Sequence, residues 1–283
     1  MRPKTTSISR IVMILVIFVW SLFPIYWTLN TSFMNLTSAD STPVHWLPSP
    51  FTGINYRNVL GVHAQGANNL WPQFAHALLN SAIESGAATL LTLIVAALAA
   101  YAFARLTFRG KSAIFYVVLG TLALPAYATL IPLYRILGDV GLVNTYAGIV
   151  LVYTSGFMPL AMWILYSYFS TIPRELEEAA SIDGASRWTV LFGIILPLAV
   201  PGLVATAIIT FLFTWGQFLF PLVLSSGLST EPLTIWIGTL ASLHVVSYTL
   251  LAAVGIMAIL VPALIVVFLN RFIIRGMTQG SFR

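Results

Sequence analysis

Cysteine is absent from this 283-residue sequence, and charged side chains make up only 7% of it. Without cysteine, the chain can form no disulfide, no thiolate zinc site and no thiol nucleophile. Soluble globular domains carry about 25% charged residues. A chain with 59% hydrophobic residues and so few charges lacks the polar groups needed to cover a surface in water. The composition therefore excludes an ordinary soluble fold and indicates that the chain is solvated by lipid.

Catalytic and phosphate-binding motifs are also missing. The sequence contains no His-Glu-x-x-His zinc motif, no Gly-x-Ser-x-Gly nucleophile elbow and no Walker A phosphate loop. No chain of Asp, Glu and His crosses the apolar segments, which argues against a proton-coupled carrier. We therefore expect a protein that is not an enzyme and that holds no metal or cofactor of its own. Any energy for active transport must then come from a separate protein.

Long apolar segments dominate what the sequence does contain. A spanning helix needs about 20 largely apolar residues, and we find six such segments. Their approximate bounds are 11–33, 79–105, 112–135, 144–169, 198–224 and 247–271. They predict an all-α polytopic membrane protein with a single transmembrane domain over residues 1–283. The first segment is too long for a signal peptide and is followed by no small-residue cleavage site, so we expect a retained helix.

The basic residues indicate how these spans are oriented. Cytoplasmic loops of membrane proteins carry an excess of Lys and Arg. If the N-terminus lies inside, eleven of the thirteen Lys and Arg residues fall on the cytoplasmic side, and only Arg57 and Arg135 fall outside. The net charge of +5 is thus explained by membrane topology rather than by nucleic-acid binding. Both termini are expected to be cytoplasmic.

The most informative stretch is the predicted cytoplasmic loop 171–197, between the fourth and fifth spans. It holds half of the eight acidic residues of the chain. Proline at a first helical position, followed by acids that favour the positive end of the helix dipole, predicts a helix over 173–182. Gly184 can adopt the left-handed conformation that ends a helix. A second helix over 185–196 would lead into the fifth span.

This loop carries a recognisable motif. Ala179 and Ala180 form a small-residue patch that permits close approach of a partner's backbone. They belong to the pattern Glu-Ala-Ala-x3-Gly-x9-Ile-x-Leu-Pro, which is made here by Glu178, Ala179, Ala180, Gly184, Ile194, Leu196 and Pro197. The pattern resembles the EAA loop of permease subunits in bacterial ABC importers. The stretch from Asn144 to Tyr153 and the C-terminal end look more specifically like the maltose-type second permease subunit of carbohydrate importers, and the resemblance covers nearly the whole chain.

The resemblance implies a fold, a function and a set of partners. It implies the type I ABC importer permease fold and the translocation of a sugar or oligosaccharide across the cell membrane by alternating access. The implied partners are a second homologous permease subunit, an extracytoplasmic solute-binding protein and a dimer of ATP-binding subunits that holds ATP and Mg. In this family the EAA helix docks on the ATPase, and the tail after the last span can reach it. The corresponding residues here are Glu178, Ala179, Ala180, Asp183, Gly184 and Pro197 in the loop, and Gly276, Gln279 and Gly280 in the tail.

A path for sugar requires aromatic faces together with hydrogen-bonding amides and hydroxyls. The candidates are Asn80, Tyr127, Trp215, Gln217 and Phe218. Position 217 departs from the family, which often has an acid where this chain has a neutral amide. Two alternatives remain open at this stage. One is an ABC permease for another solute, such as glycerol phosphate or a polyamine, and the other is a self-sufficient channel or secondary carrier.

Overall fold

The computed structural model describes residues 8–62, 69–225, 227, 229–242 and 246–279, and within these ranges every regular element is a helix. The chain divides into two compact units. One unit comprises Met1–Ala75 with Trp236–Leu260, and the other comprises His76–Ile235 with Val261–Arg283. The helices Trp71–Arg105, Leu233–Ser242 and Tyr248–Gln279 cross the boundaries between the units and contribute residues to both.

The first unit includes a long apolar helix near the N-terminus, most of whose side chains are exposed. Its elements are α1 (Ile8–Ser32), α2 (Leu36–Ala39), α3 (Ile54–Val59) and parts of α4 (Trp71–Arg105), α13 (Leu233–Ser242) and α14 (Tyr248–Gln279). Asn55 of α3 is buried, and its side-chain amide donates to the carbonyl oxygens of Ser32 at 2.9 Å and Met34 at 2.8 Å. These bonds satisfy carbonyl groups at the end of α1 and fix the segment that follows it.

The second unit contains the remaining helices. They are α5 (Lys111–Gly120), a 3₁₀ turn (Thr121–Ala123), α6 (Ala126–Asp139), α7 (Tyr146–Ser170), α8 (Glu175–Ile182), α9 (Arg187–Val190), a π-helical turn (Leu191–Ile195), α10 (Leu196–Leu198), α11 (Val200–Trp215) and α12 (Leu219–Leu224). Alanines of α4, such as Ala96 and Ala100, share a buried core with Leu165 and Phe169 of α7. Small residues allow membrane helices to approach closely, which is how this core is packed.

The spans differ from the prediction in shape more than in position. In the described part of the chain, α1, α4, α7 and α14 are long and apolar enough to cross a bilayer, and two bent helix pairs raise the number to six if each pair is one span. The third predicted span consists of Lys111–Ala123 and Tyr127–Asp139, which meet at 104°. The break falls at Pro125, whose ring lacks an N–H and disfavours a helical conformation at Leu124 before it.

The fifth predicted span, 198–224, is divided between α11 and α12. At its start, Val200–Trp215 meets the preceding helical segment Arg187–Leu198 at 75° on either side of Ala199. Pro201 follows this break within the first turn of α11, where its missing N–H costs no hydrogen bond. At the other end α11 stops at Trp215, and α12 begins only at Leu219.

Candidate functional site

The EAA loop (residues 171–197) folds into a short helix with a defined end. The prediction of a helix over 173–182 is met by α8, which begins at Glu175 and places three acids in its first turn. Gly184 has a φ of +82°, so it takes the predicted left-handed conformation. The Gly184 N–H donates to the Ser181 carbonyl at 3.1 Å, and the Ala185 N–H donates to the Ala180 carbonyl at 2.9 Å. These two bonds form a Schellman motif, which satisfies the last carbonyls of α8.

The second helix of the loop is less regular than the predicted helix over 185–196. Ser186 caps α9 by accepting a hydrogen bond from the Thr189 N–H at 3.2 Å. After one turn, the helix widens into the π-helical turn, and Leu191 and Ile195 of that turn are both buried in the core. A π turn contains one more residue than the sequence periodicity assumed, so it could not be predicted from an α-helical pattern.

The inner face of α8 rests on the core of the second unit. Ala180 and Ala185 are half-buried and pack against the core cluster that contains Ile172 and Val190. The backbone hydrogen bond of the Schellman motif joins Ala185 to Ala180, so both alanines face this core. The EAA loop is therefore seated on the ends of the long helices through small side chains.

A buried ion pair also holds α8 against the end of α4. Arg105, the last residue of α4, forms an ion pair with the Glu177 carboxylate, and the two side chains are only 6% and 15% exposed. The Arg105 Nη2 atom also donates to the Ile172 carbonyl oxygen at 2.7 Å. A second hydrogen bond joins the same two segments: the Arg174 Nη2 atom donates to the Ala104 carbonyl oxygen at 3.5 Å. The end of α4 is thereby bonded to α8 and to the segment that leads into it.

Sequence reasoning missed this pair because Arg105 served only as a marker of a cytoplasmic loop. Glu177 stands three residues before Ala180, and residues three apart share one face of a helix. Had Ala180 been assigned to the buried face, the sequence would have pointed to Glu177 as the acid that faces the core.

The outer face of α8 carries two of the six predicted coupling residues of the loop, Glu178 and Ala179, and both are exposed. Of the other four, Asp183, Gly184 and Pro197 follow α8 and are exposed, and Ala180 is half-buried. Ile182 lies one turn after Glu178 and is 87% exposed. Sequence analysis did not single out Ile182, although it stands between Ala179 and Gly184. An exposed aliphatic side chain beside acids and alanines gives this face both an apolar and a charged component.

The predicted tail contacts lie at the end of α14. The structure continues this helix to Gln279, beyond the predicted end of the last span at 271. Gly276 and Gln279 are therefore helical positions, whereas Gly280 lies outside the described residues.

The five substrate-path candidates differ in exposure and in the contacts that they make. Asn80 is buried, its amide nitrogen donates to the Glu231 carbonyl at 3.0 Å, and its amide oxygen accepts from the Tyr146 hydroxyl at 2.6 Å. Trp215 is buried and stacks on Phe211 with ring centroids 5.5 Å apart. Tyr127 and Phe218 are exposed.

Gln217 lines a cavity. This Gln217 cavity has a volume of about 500 Å³ and lies beside the break between α5 and α6, the middle of α7 and the start of α12. The residues that line it include the aromatic residues Tyr153, Phe157 and Phe220 and the hydroxyl residues Thr121, Thr129 and Ser155. No lining residue in the described part of the chain is an acid, a base or a histidine. Aromatic faces with neutral hydrogen-bonding groups can hold an uncharged polar molecule.

Residues 92–279 match the model of the family described as "Binding-protein-dependent transport system inner membrane component", and this region is more than half of the chain. The chain belongs to this family. The matched region of this inner membrane component includes the EAA loop, the Arg105–Glu177 pair and all the residues that line the Gln217 cavity.

Permeases of sugar uptake systems are similar to this inner membrane component along most of their length. The diacetylchitobiose uptake system permease protein NgcG of Streptomyces coelicolor is 35% identical, and the match covers 99% of this chain and 90% of the relative. The trehalose/maltose transport system permease protein MalG of Thermococcus litoralis is 31% identical, with 93% and 91% covered. A solved bacterial ABC transporter involved in the import of the acidic polysaccharide alginate has a chain that matches with a TM-score of 0.77 at 23% identity, covering 100% of this chain and 99% of that chain.

Membership in the family confirms the resemblance inferred from the EAA pattern. The chain is a multi-pass inner membrane component with the all-α fold of ABC importer permeases. The relatives are named as transport permeases, in agreement with the expectation that the chain is not an enzyme.

Proposed function

We propose that this chain is the permease subunit of an ATP-driven importer that carries a sugar or oligosaccharide across the cell membrane. The observation that carries the proposal is the EAA loop, an acidic helix closed by a left-handed glycine and seated on the core of a membrane protein. The relatives named above act in the uptake of diacetylchitobiose and of trehalose and maltose, which supports a saccharide as the solute.

The exposed face of α8 is the proposed contact with the ATPase. Glu178, Ala179 and Ile182 are exposed on this helix, so a partner can reach them without rearrangement of the chain. The full complex would contain a second homologous permease subunit, a dimer of ATP-binding subunits that holds ATP and Mg, and an extracytoplasmic solute-binding protein. Residues at the end of α14, including Gly276 and Gln279, together with Gly280, are proposed to reach the ATPase as well.

Alternating access follows from this arrangement. ATP binding closes the ATPase dimer and moves the docked α8 with it, while hydrolysis releases the dimer. Because α8 is fixed to the core, its displacement is passed to the membrane helices, and the path opens first to one side and then to the other. The solute-binding protein delivers the sugar when the path faces outward.

The Gln217 cavity supports a neutral solute over the charged alternatives. Glycerol phosphate is an anion and polyamines are polycations, and a charge placed in an apolar cavity needs an opposite charge or many hydrogen bonds. The cavity instead supplies Gln217, hydroxyl groups and aromatic rings. The remaining predicted path residues, Asn80, Tyr127, Trp215 and Phe218, stay predictions.

Reconstitution of the complete complex tests the proposal. The chain is co-purified with its partners, placed in lipid vesicles, and assayed for uptake of labelled oligosaccharides in the presence and absence of ATP. We expect ATP-dependent uptake that glycerol phosphate and polyamines do not inhibit. Flux through vesicles that contain this chain alone, without ATP, would instead indicate a channel or secondary carrier and would contradict the proposal.

A further inference from the structure

The ion pair between α4 and α8 extends the proposed coupling to a specific membrane helix. Arg105 is the last residue of α4, and its guanidinium contacts both the Glu177 carboxylate of α8 and the Ile172 carbonyl ahead of α8. We propose that Arg105 and Glu177 are positioning residues that fix α8 to α4, so that movement of α8 by the ATPase is passed directly to α4. This inference rests on the proposed function.

The geometry of Arg105 suits this role. A guanidinium is a planar fork with several donors, so one side chain can bind a carboxylate and a carbonyl at the same time, whereas a lysine ammonium is a point charge without this fork. The bond from Arg174 to the Ala104 carbonyl runs in the opposite direction, from the α8 side back to α4. Two arginines thus connect the last turn of α4 to α8 from both sides.

The packing of Ala180 and Ala185 against the core does not by itself fix the orientation of α8. Ala180 and Ala185 are small, so their packing against the core restricts sliding and tilting only weakly. Hydrogen bonds between charged groups are shorter and more directional than neutral ones. The Arg105–Glu177 pair is largely removed from water, where salt screens charges weakly. The pair therefore supplies the stiffness that the alanine contacts lack.

Charge reversal provides the test in the assembled importer with its partner subunits. Arg105→Ala removes the partner of the Glu177 carboxylate, and Glu177→Gln removes the negative charge that faces Arg105. The double variant Arg105→Glu/Glu177→Arg restores an ion pair with opposite polarity. For each single variant we expect continued ATP hydrolysis and at least about a fivefold fall in sugar transported per ATP. The double variant restores the ion pair but not the donor to the Ile172 carbonyl, so it should recover part of the lost coupling, and Arg105→Lys should also recover part of it.

One exposed residue outside α8 serves as a matched control. Arg109→Ala removes an arginine a few residues beyond α4 and should leave sugar transported per ATP unchanged. If Arg105→Ala does not assemble, Glu177→Gln decides the matter because the amide keeps the shape of the acid. An unchanged ratio in Glu177→Gln, or no recovery in the double variant, overturns the inference. Absence of ATP-driven uptake by the unmodified complex would instead count against the proposed function.

Discussion

The EAA loop and the Gln217 cavity lie in the same unit of the molecule but use charge in opposite ways. The loop concentrates acids and pairs one of them with Arg105 in a largely buried contact. The cavity is lined by aromatic rings, hydroxyl groups and a glutamine amide, with no charged side chain among its described residues. A protein that must hold a moving part firmly benefits from directional charged contacts, whereas a site that must release its ligand benefits from weaker neutral ones.

Reversal of the charge at Glu178 tests the loop side of this comparison most severely. Glu178→Lys places a base on the exposed face of α8, where a cationic partner surface would be repelled. We expect sugar uptake to fall at least about tenfold while ATP hydrolysis by the complex continues. Uptake and hydrolysis are measured on the same vesicles. The matched control is Glu175→Lys, an exposed acid outside the motif, and an equal loss in that variant would show that α8 responds to net charge alone.

A charge introduced into the cavity tests the other side. Gln217→Glu keeps the size of the side chain but places an acid among the rings of the cavity. We expect about a fivefold rise in the KM for a neutral oligosaccharide, because the carboxylate lacks the N–H donors of the amide and loses its hydration when the sugar covers it. Gln217→Ala, which removes only the amide, should raise KM less. Unchanged kinetics in both variants would show that the sugar does not contact position 217.

The smallest effect is expected at the turn that ends α8. Gly184 has a φ of +82°, but a Cβ atom built there meets nothing within 4 Å. Gly184→Ala should therefore cost only about 1 kcal/mol from backbone strain, with coupling preserved. Gly184→Asn should cost less, because asparagine adopts the left-handed conformation more readily. Thermal unfolding of the purified complex measures both changes, and a larger loss in the asparagine variant than in the alanine variant would contradict this explanation.

Local sequence rules predicted the loop well. Acids after a proline and a glycine after the helix were enough to place α8 and its left-handed end, because both signals act within a few residues. The two adjacent acids Glu177 and Glu178 show where such rules stop. One faces the core and pairs with Arg105, and the other faces outward. Which of the two acids faces the core depends on the packing of α8 against helices that are distant in the sequence.

Neither the helix bends nor the buried amide of Asn80 could be predicted from the sequence, and the two reasons are related. Pro24, Pro159 and Pro262 lie inside continuous helices, whereas Pro125 stands at a break of 104°. A proline in a membrane helix is tolerated when neighbouring groups satisfy the freed carbonyl, so the residue alone does not reveal the outcome. Asn80 illustrates the same limit, since its amide is bonded to Tyr146 and Glu231 and only the folded chain brings these groups together.

The neutral lining of the Gln217 cavity also affects whether inorganic ions can leak across the membrane. An inorganic ion can leave water only where fixed charges or a ring of oxygen ligands replace its hydration shell. A passage with walls of this kind offers a sodium ion no fixed charge, while a saccharide exchanges its water for hydroxyl and amide partners. Import through the proposed path would then feed the cell without discharging the voltage across its membrane.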